Sequence, residues 1–414
     1  MKFTKALIYL NLFFLQSYLI RFHIGNYPTN LQEIFLGIMT VTFIGKTIML
    51  QRSTYKSKQS RSKGLSYYQK SFSKNLKKHW ILVSLALLTI LSLLLVPIFN
   101  FIDLARHVKF LFFGIIFTYI FIETLNKKTE QEKALKMAGY GAIAFGLFSV
   151  IYNLTGHNIA HDLRLLGPLD AAVYLGFYLT PFFIYFSIKS FNKPKKINII
   201  PAITLGLLII ATKSMGAIGG SFLILVIYLF KNHSNKIRQN RTLKTIITIL
   251  AIGILATIIS TKILPTLNTE YSSLDERGEI WKISEELLKT PRNLLLGVGF
   301  GQFEHHYIEN ADQVLGQPPL DYNVIQPHNI FLLFTFHYGI LGLILIVFLI
   351  SKTLMQIIKN PKLKEFDQII LLTLLYFFIH GLIDTPFFKN DMIILLLIYL
   401  ELGLMKVHQL NPSK

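Results

Sequence analysis

WILVSLALLTILSLLLVPI, the stretch from Trp80 to Ile98, runs nineteen residues without one charged side chain. A helix of ~20 apolar residues crosses a bilayer core, because it rises ~1.5 Å per residue and satisfies its own backbone polar groups. Stretches of the same kind recur at about 6–21, 31–50, 108–124, 136–154, 170–188, 198–212, 216–230, 245–264, 329–350, 367–383 and 391–406. The pattern predicts an all-α fold, a polytopic transmembrane helical bundle of about twelve spans forming one membrane domain over residues 1–414.

Composition agrees with that reading. Of 414 residues, 52% are hydrophobic and 15% charged, where soluble domains carry roughly 25% charged residues. The mean hydropathy is +0.49. An excess of 42 Lys+Arg over 22 Asp+Glu gives +20, a balance that in a soluble protein would suggest nucleic acid as the partner. Here its placement explains it. Nine basic residues and no acidic one lie between Arg52 and Lys78, which marks that loop as cytoplasmic and puts it against anionic lipid. The expected partner is the lipid bilayer, not nucleic acid. There is no cysteine, which excludes a disulfide frame and a thiolate metal site. The first apolar stretch, Ala6 to Ile20, follows Lys2 and Lys5 with no small-residue cleavage pattern after it, so it reads as a retained first span.

One interval breaks the pattern. Residues 265–328, mostly polar, form a large loop on the extracytoplasmic side between the ninth and tenth predicted spans, and a loop of that length implies function. It begins with a predicted helix: Ser273 and Glu276 make a capping box, Ile280, Ile283 and Leu287 an apolar stripe, and Pro291 a stop. Arg277 and Trp281 share a face at i, i+4. Gly297-Val298-Gly299-Phe300-Gly301 follows, either a tight chain reversal or a set of bare amides able to cradle a phosphate.

Polar groups at the outer membrane surface are expensive unless they work. His328, in Pro327-His328-Asn329-Ile330, places an imidazole there, suited to proton abstraction near neutral pH or to bonding a carbonyl. Arg164 and Arg277 carry guanidinium groups that match diphosphate oxygens bidentately; a snorkelling side chain, or for Arg277 an ion pair with Asp275 or Glu276, is the alternative. Arg106 and Lys213 are further outer-face cations. His380 and Asp384 are four apart, as on one helical face, either as metal ligands or in a structural hydrogen bond. No Asp/Glu-x-Asp/Glu pair occurs in an outer loop, which argues against metal-bound diphosphate chemistry. His157, His161, His305 and His306 read as solvated loop residues.

Several of these segments resemble the bacterial O-antigen ligase and O-antigen polymerase superfamily. Gln326-Pro327-His328-Asn329-Ile330-Phe331-Leu332 through Gly339-Ile340-Leu341-Gly342 is similar to the family's Pro-His-Asn opening and Gly-x-x-Gly close. Arg277 to Trp281, then Gly297-Val298-Gly299 and Phe303, resembles its Arg-x-x-x-Trp helix and Gly-x-Gly turn. Arg164 to Tyr174 and His380-Gly381-Leu382-Ile383-Asp384 also fit. Two positions depart: Ser214-Met215-Gly216 stands where many members have Ser-Arg-Gly, with Lys213 a substitute for the missing arginine, and His337 where many have Glu.

The resemblance implies a metal-independent, GT-C-like glycosyltransferase without cofactor, working at the outer, periplasmic face of the bacterial inner membrane. Its donor would be a glycan on undecaprenyl pyrophosphate, and its acceptor a lipid A core sugar in a ligase or another lipid-linked repeat in a polymerase. The roles that follow are His328 as general base, Arg277 in catalysis and pyrophosphate binding, Arg164 and Lys213 in pyrophosphate binding, and Trp281, Asn329 and Asp384 in support. The competing class is a polysaccharide or lipid transporter or flippase, which calls for internal repeats and mid-membrane ionisable groups; only Lys46 is read as mid-span.

Overall fold

The computed structural model describes residues 2–25, 27–57, 76–157, 163–239, 273–360 and 363–404. It is mostly helical with little sheet, as expected of an integral membrane protein. The predicted span at 245–264, the first residues of the large loop and His161 lie outside the described residues. Among the described residues, six helices are long and apolar enough to cross a membrane: Leu31–Met49, Phe101–Thr124, Lys128–Leu154, Ala172–Asn192, Met215–Asn232 and Ile330–Lys359. Shorter apolar helices stand at Trp80–Leu95 and Lys196–Ala211, and further helices at Glu365–His380 and Asn390–Leu404.

The opening stretch shows why a predicted span and a helix differ in length. Pro97 disfavours helical geometry at Val96 and has no N–H to continue the ladder, so the helix closes at Leu95. Its sixteen residues reach about 24 Å, short of the ~30 Å hydrocarbon core. The first predicted span departs further. It is helical only over Lys2–Phe13, passes into a 3-10 turn at Leu15–Leu19, and leads to an antiparallel pair, Arg21–Ile24 with Tyr27–Asn30.

The chain divides into two compact units. One comprises Met1–Leu87, Lys109–Gly141 and Lys389–Lys414. Within it, buried His79 meets Glu401 at 3.2 Å and Glu123 at 2.9 Å, and Lys78 also pairs with Glu123. Glu401, fully buried within Asn390–Leu404, adds an ionisable group inside an apolar helix to Lys46; a protein partner, His79, accounts for it. Gln16 donates to Asp391 at 2.6 Å.

The other unit comprises Leu88–Val108 and Ala142–Phe388, and it contains every residue singled out above for chemistry. The Ser273–Leu288 helix buries the predicted stripe: Ile280, Ile283 and Leu287 are 4, 0 and 9% exposed and pack with Val298, Phe303, Tyr307, Val324 and Phe336. Each large apolar side chain so buried contributes about 1.5–3 kcal/mol. The Ser273 side chain of the proposed capping box lies outside the described residues. Pro291 does more than follow the helix. It opens a second, Pro291–Leu296, whose N-cap Thr290 accepts from the Asn293 amide, the first-turn position that proline's missing N–H and fixed φ favour.

The long helix Ile330–Lys359 is broken at Gly339, where φ is 62° and ψ −152°. The break stops the carbonyl of Phe336 from accepting along the helix, and the amides of Val298 and Gly299 take it at 2.9 and 3.2 Å. Phe300 donates its amide to Ser92 Oγ at 3.0 Å. These bonds make the Gly297–Gly301 segment a tight chain reversal docked on a broken helix; amides of a phosphate cradle would be free. Gln302, 1% exposed, locks the same reversal to the turn after Pro97: its Oε1 accepts from the Phe99 and Asn100 amides and its Nε2 donates to the Asn100 carbonyl. His305 and His306 are helical, within Phe303–Leu315, and lie against the Phe99 ring.

Candidate functional site

The Ser273–Leu288 helix holds two separate loops from one face. The Trp281 indole donates to the Pro327 carbonyl at 3.1 Å, and Arg277 Nε donates to the Ile383 carbonyl at 2.9 Å. Spacing at i, i+4 puts both side chains on that face, so a single helix positions the residue after Pro327 and the residue after Ile383. Those residues are His328 and Asp384.

His328 stands in a left-handed backbone conformation, φ 50°, which costs a non-glycine residue of order 1–3 kcal/mol and persists only where neighbours over-determine it. Three bonds do so. Trp281 holds Pro327; Asn329 caps the next helix by accepting from the Phe331 and Leu332 amides at 2.9 and 3.3 Å; and the Ile330 amide donates to the Gly381 carbonyl at 2.6 Å. The supporting role expected of Asn329 is therefore that of an N-cap, the job to which a short side-chain acceptor is suited.

The imidazole so placed meets a carboxylate. His328 Nδ1 lies 3.1 Å from Asp384 Oδ1, and the other oxygen, Oδ2, lies 3.7 Å from an Arg277 Nη. The Thr385 amide also donates to Asp384 Oδ1 at 2.9 Å. Asp384 is 5% exposed. Burial opposes its ionisation, but the hydrogen bond from His328 and the nearby positive charge outweigh burial and hold the carboxyl below its usual range.

The helix Glu365–His380 ends at its last histidine, with Gly381 as the C-cap; the Asp384 amide still donates to the His380 carbonyl at 3.0 Å, and the Asp384 carboxylate meets His328. His380 is buried beside the Tyr376 hydroxyl at 3.1 Å. Among the described residues, no group of three or more His, Cys, Asp or Glu is placed to hold a metal ion.

Arg164 and Lys213 sit on joined segments. The Leu165 amide donates to the Ala211 carbonyl at 2.9 Å, which ties the Arg164 loop to the turn containing Lys213. Asn153 braces that loop by donating to the Arg164 carbonyl at 3.3 Å and accepting from the Gly167 amide at 2.9 Å. Lys213 itself has φ 49°. The turn then runs against the Asp384 segment: a Cβ on Gly216 would stand 2.8 Å from the His380 ring and 3.2 Å from Ile383. Direct contact thus joins Arg277, Asp384 and His328, while Arg164 and Lys213 stand on the adjoining layer. The pairing of His328 with Asp384 and the anchoring role of Gln302 escaped sequence reasoning. Both contacts join residues far apart in the chain, and such a contact leaves no signal in one sequence.

No curated protein matches this chain. Residues 200–347 match the family model described as O-antigen ligase, a segment that contains Lys213, Arg277, Trp281, His328 and Asn329. Members of that family are glycosyltransferase-like enzymes that act on lipid-linked glycans in a membrane. The match over residues 200–347 supports a place for the chain in the O-antigen ligase and polymerase superfamily.

Proposed function

We propose that this protein is a metal-independent glycosyltransferase that moves a glycan from undecaprenyl pyrophosphate to a lipid A core sugar, at the periplasmic face of the inner membrane, on a GT-C-like scaffold of about twelve spans. The observation that carries the proposal is the contact of His328 with Asp384 and of Asp384 with Arg277, within and beside the O-antigen ligase segment.

With Nδ1–H donated to Asp384, the neutral imidazole keeps Nε2 as its acceptor. Nε2 takes the proton from the acceptor hydroxyl while that oxygen attacks the anomeric carbon and the bond to the pyrophosphate oxygen breaks. Asp384 holds the ring in this tautomer and balances the imidazolium that forms, a division of labour known from other histidine–carboxylate pairs. The undecaprenyl pyrophosphate leaves with the bonding electrons. Arg277, whose planar guanidinium carries five N–H donors, holds the growing charge with Arg164 and Lys213.

The test is reconstitution in liposomes with labelled lipid-linked glycan and lipid A core as acceptor. Labelled glycan on lipid A core is the expected product. Longer lipid-linked chains instead would assign the polymerase reaction, and flipping of the donor with no new glycosidic bond would assign transport.

A further inference from the structure

Arg277, Trp281, Glu285 and Lys289 follow one another at intervals of four along the Ser273–Leu288 helix and its end, so they form one stripe, ~6 Å per step. The first two hold the Asp384 and His328 loops. The last two continue the stripe away from that pair, opposite Asn329 and Leu332 at the start of the next long helix. Between them lies an open cleft of ≈ 510 Å³ lined by Trp281, Glu285, Leu288, Lys289, Asn329 and Leu332. Its size falls within the ~300–1,000 Å³ usual for small-molecule sites.

The lining specifies a chemistry. The indole N–H of Trp281 is fixed on Pro327 while the ring stays 37% exposed, which leaves a held aromatic face for the C–H side of a sugar. Glu285 has no hydrogen-bond partner among the described residues, and Lys289 uses one N–H on Glu286 at 2.6 Å, leaving two. A carboxylate to accept and an ammonium to donate, four residues apart, suit vicinal hydroxyls. Glu285 and Glu286 repel a phosphate, and the charges disfavour an acyl chain.

We propose that this cleft is the acceptor subsite: it takes the terminal sugar ring of the acceptor glycan, stacked on Trp281 with hydroxyls on Glu285 and Lys289, next to His328. The proposal rests on the glycosyltransferase reading above. Continuity supports it, since Trp281 and Asn329 belong both to the cleft and to the frame that positions His328.

The chain has two tryptophans, Trp80 and Trp281, so in a Trp80→Phe background Trp281 reports its own surroundings. Delipidated core oligosaccharide, titrated into the full-length protein, should change the emission of Trp281 saturably. In transfer assays, Glu285→Gln and Lys289→Gln should each raise the acceptor KM by roughly tenfold, the worth of a charge-assisted hydrogen bond, while the donor KM moves less than twofold. A change in donor KM without one in acceptor KM would place the donor glycan in the cleft and overturn the proposal; no change in either would do the same. An emission change with a lipid-linked repeat but not with core oligosaccharide would keep the subsite and overturn the ligase assignment. Absence of transfer by the unmodified protein would sink the glycosyltransferase reading, while the titration, which needs no turnover, still decides whether sugar binds.

Discussion

His328 and Asp384 are 56 positions apart in the chain and 3.1 Å apart in space. Both lie just outside helix ends, where the backbone is free to aim a side chain across a gap, and both are held there by donors from one helix, Trp281 and Arg277. The contact gives Asp384 two duties. It orients the imidazole, and it balances the guanidinium.

Asp384→Asn separates these from shape, because the amide keeps the volume and loses the charge. Transfer should fall at least tenfold with the protein still folded, as the imidazole loses its fixed tautomer. Stability carries a second signature. The Asp384 carboxyl is held below its usual range, so its pairing stabilises the fold fully above the ordinary carboxylate pKa of ~3.9 and is lost as pH falls through the lower folded value. The melting-temperature gap between wild type and Asp384→Asn should therefore persist at pH 5 and shrink below about pH 4. A gap independent of acid would mean the carboxylate is not ion-paired.

Three glycines yield opposite expectations from one substitution. A Cβ on Gly297 would stand 2.4 Å from the Phe336 carbonyl, and one on Gly339 2.0 Å from that of Leu295, with φ of 80° and 62°. Alanine at either position should destabilise the protein by more than about 2 kcal/mol. Gly278 is helical with open space around it, so Gly278→Ala should stabilise by about 0.5–1 kcal/mol. Thermal unfolding in detergent ranks the three.

Much of the frame was legible because apolar length and hydrophobic period act locally. The Ile280, Ile283 and Leu287 stripe and the Arg277–Trp281 face depend only on helical spacing. Helix ends were less so: the break at Gly339 depends on Leu295 and Leu296 approaching from another segment, and the closure at His380 is followed by a turn whose Asp384 carboxylate meets His328. The pairing of Asp384 with His328 and the role of Gln302 were hidden for the same reason, since a contact between distant positions leaves no periodic trace in one sequence. The two-strand pair after Leu19 follows an apolar run that, by composition alone, looks like a continuing helix.

The Lys/Arg distribution predicts the sidedness. A reporter fused after Lys289 should behave as extracytoplasmic and one fused near Lys63, which lies outside the described residues, as cytoplasmic. Finding both on one side would remove the proposed donor from reach of His328.

Glycan transfer by the purified protein should survive EDTA, because the pyrophosphate charge is assigned to Arg277, Arg164 and Lys213. Activity lost to chelation and restored only by a divalent ion would show that these cations do not suffice.

The base and the phosphate grips should separate kinetically. His328→Ala removes the group that acts on the acceptor, so donor binding should survive while turnover falls by roughly 10²-fold or more, the usual worth of a positioned general base. Alanine keeps the Cβ and with it the left-handed strain at φ 50°, so thermal unfolding is measured beside turnover to check that the variant is folded. Arg277→Ala should weaken both donor binding and turnover, because its charge-assisted bonds act in ground and transition states alike. It also strips Asp384 of a partner and the Ile383 carbonyl of a donor, so its loss should exceed that of Arg164→Ala, whose segment stands on the adjoining layer. Arg277→Lys keeps the charge but not the planar fork and should rescue only in part. The measurement is transfer of labelled glycan in liposomes, with donor binding followed separately. Wild-type turnover in His328→Ala would reduce the Pro327-His328-Asn329 segment to a helix entry at the membrane surface, and full rescue by lysine would reduce Arg277 to a point charge.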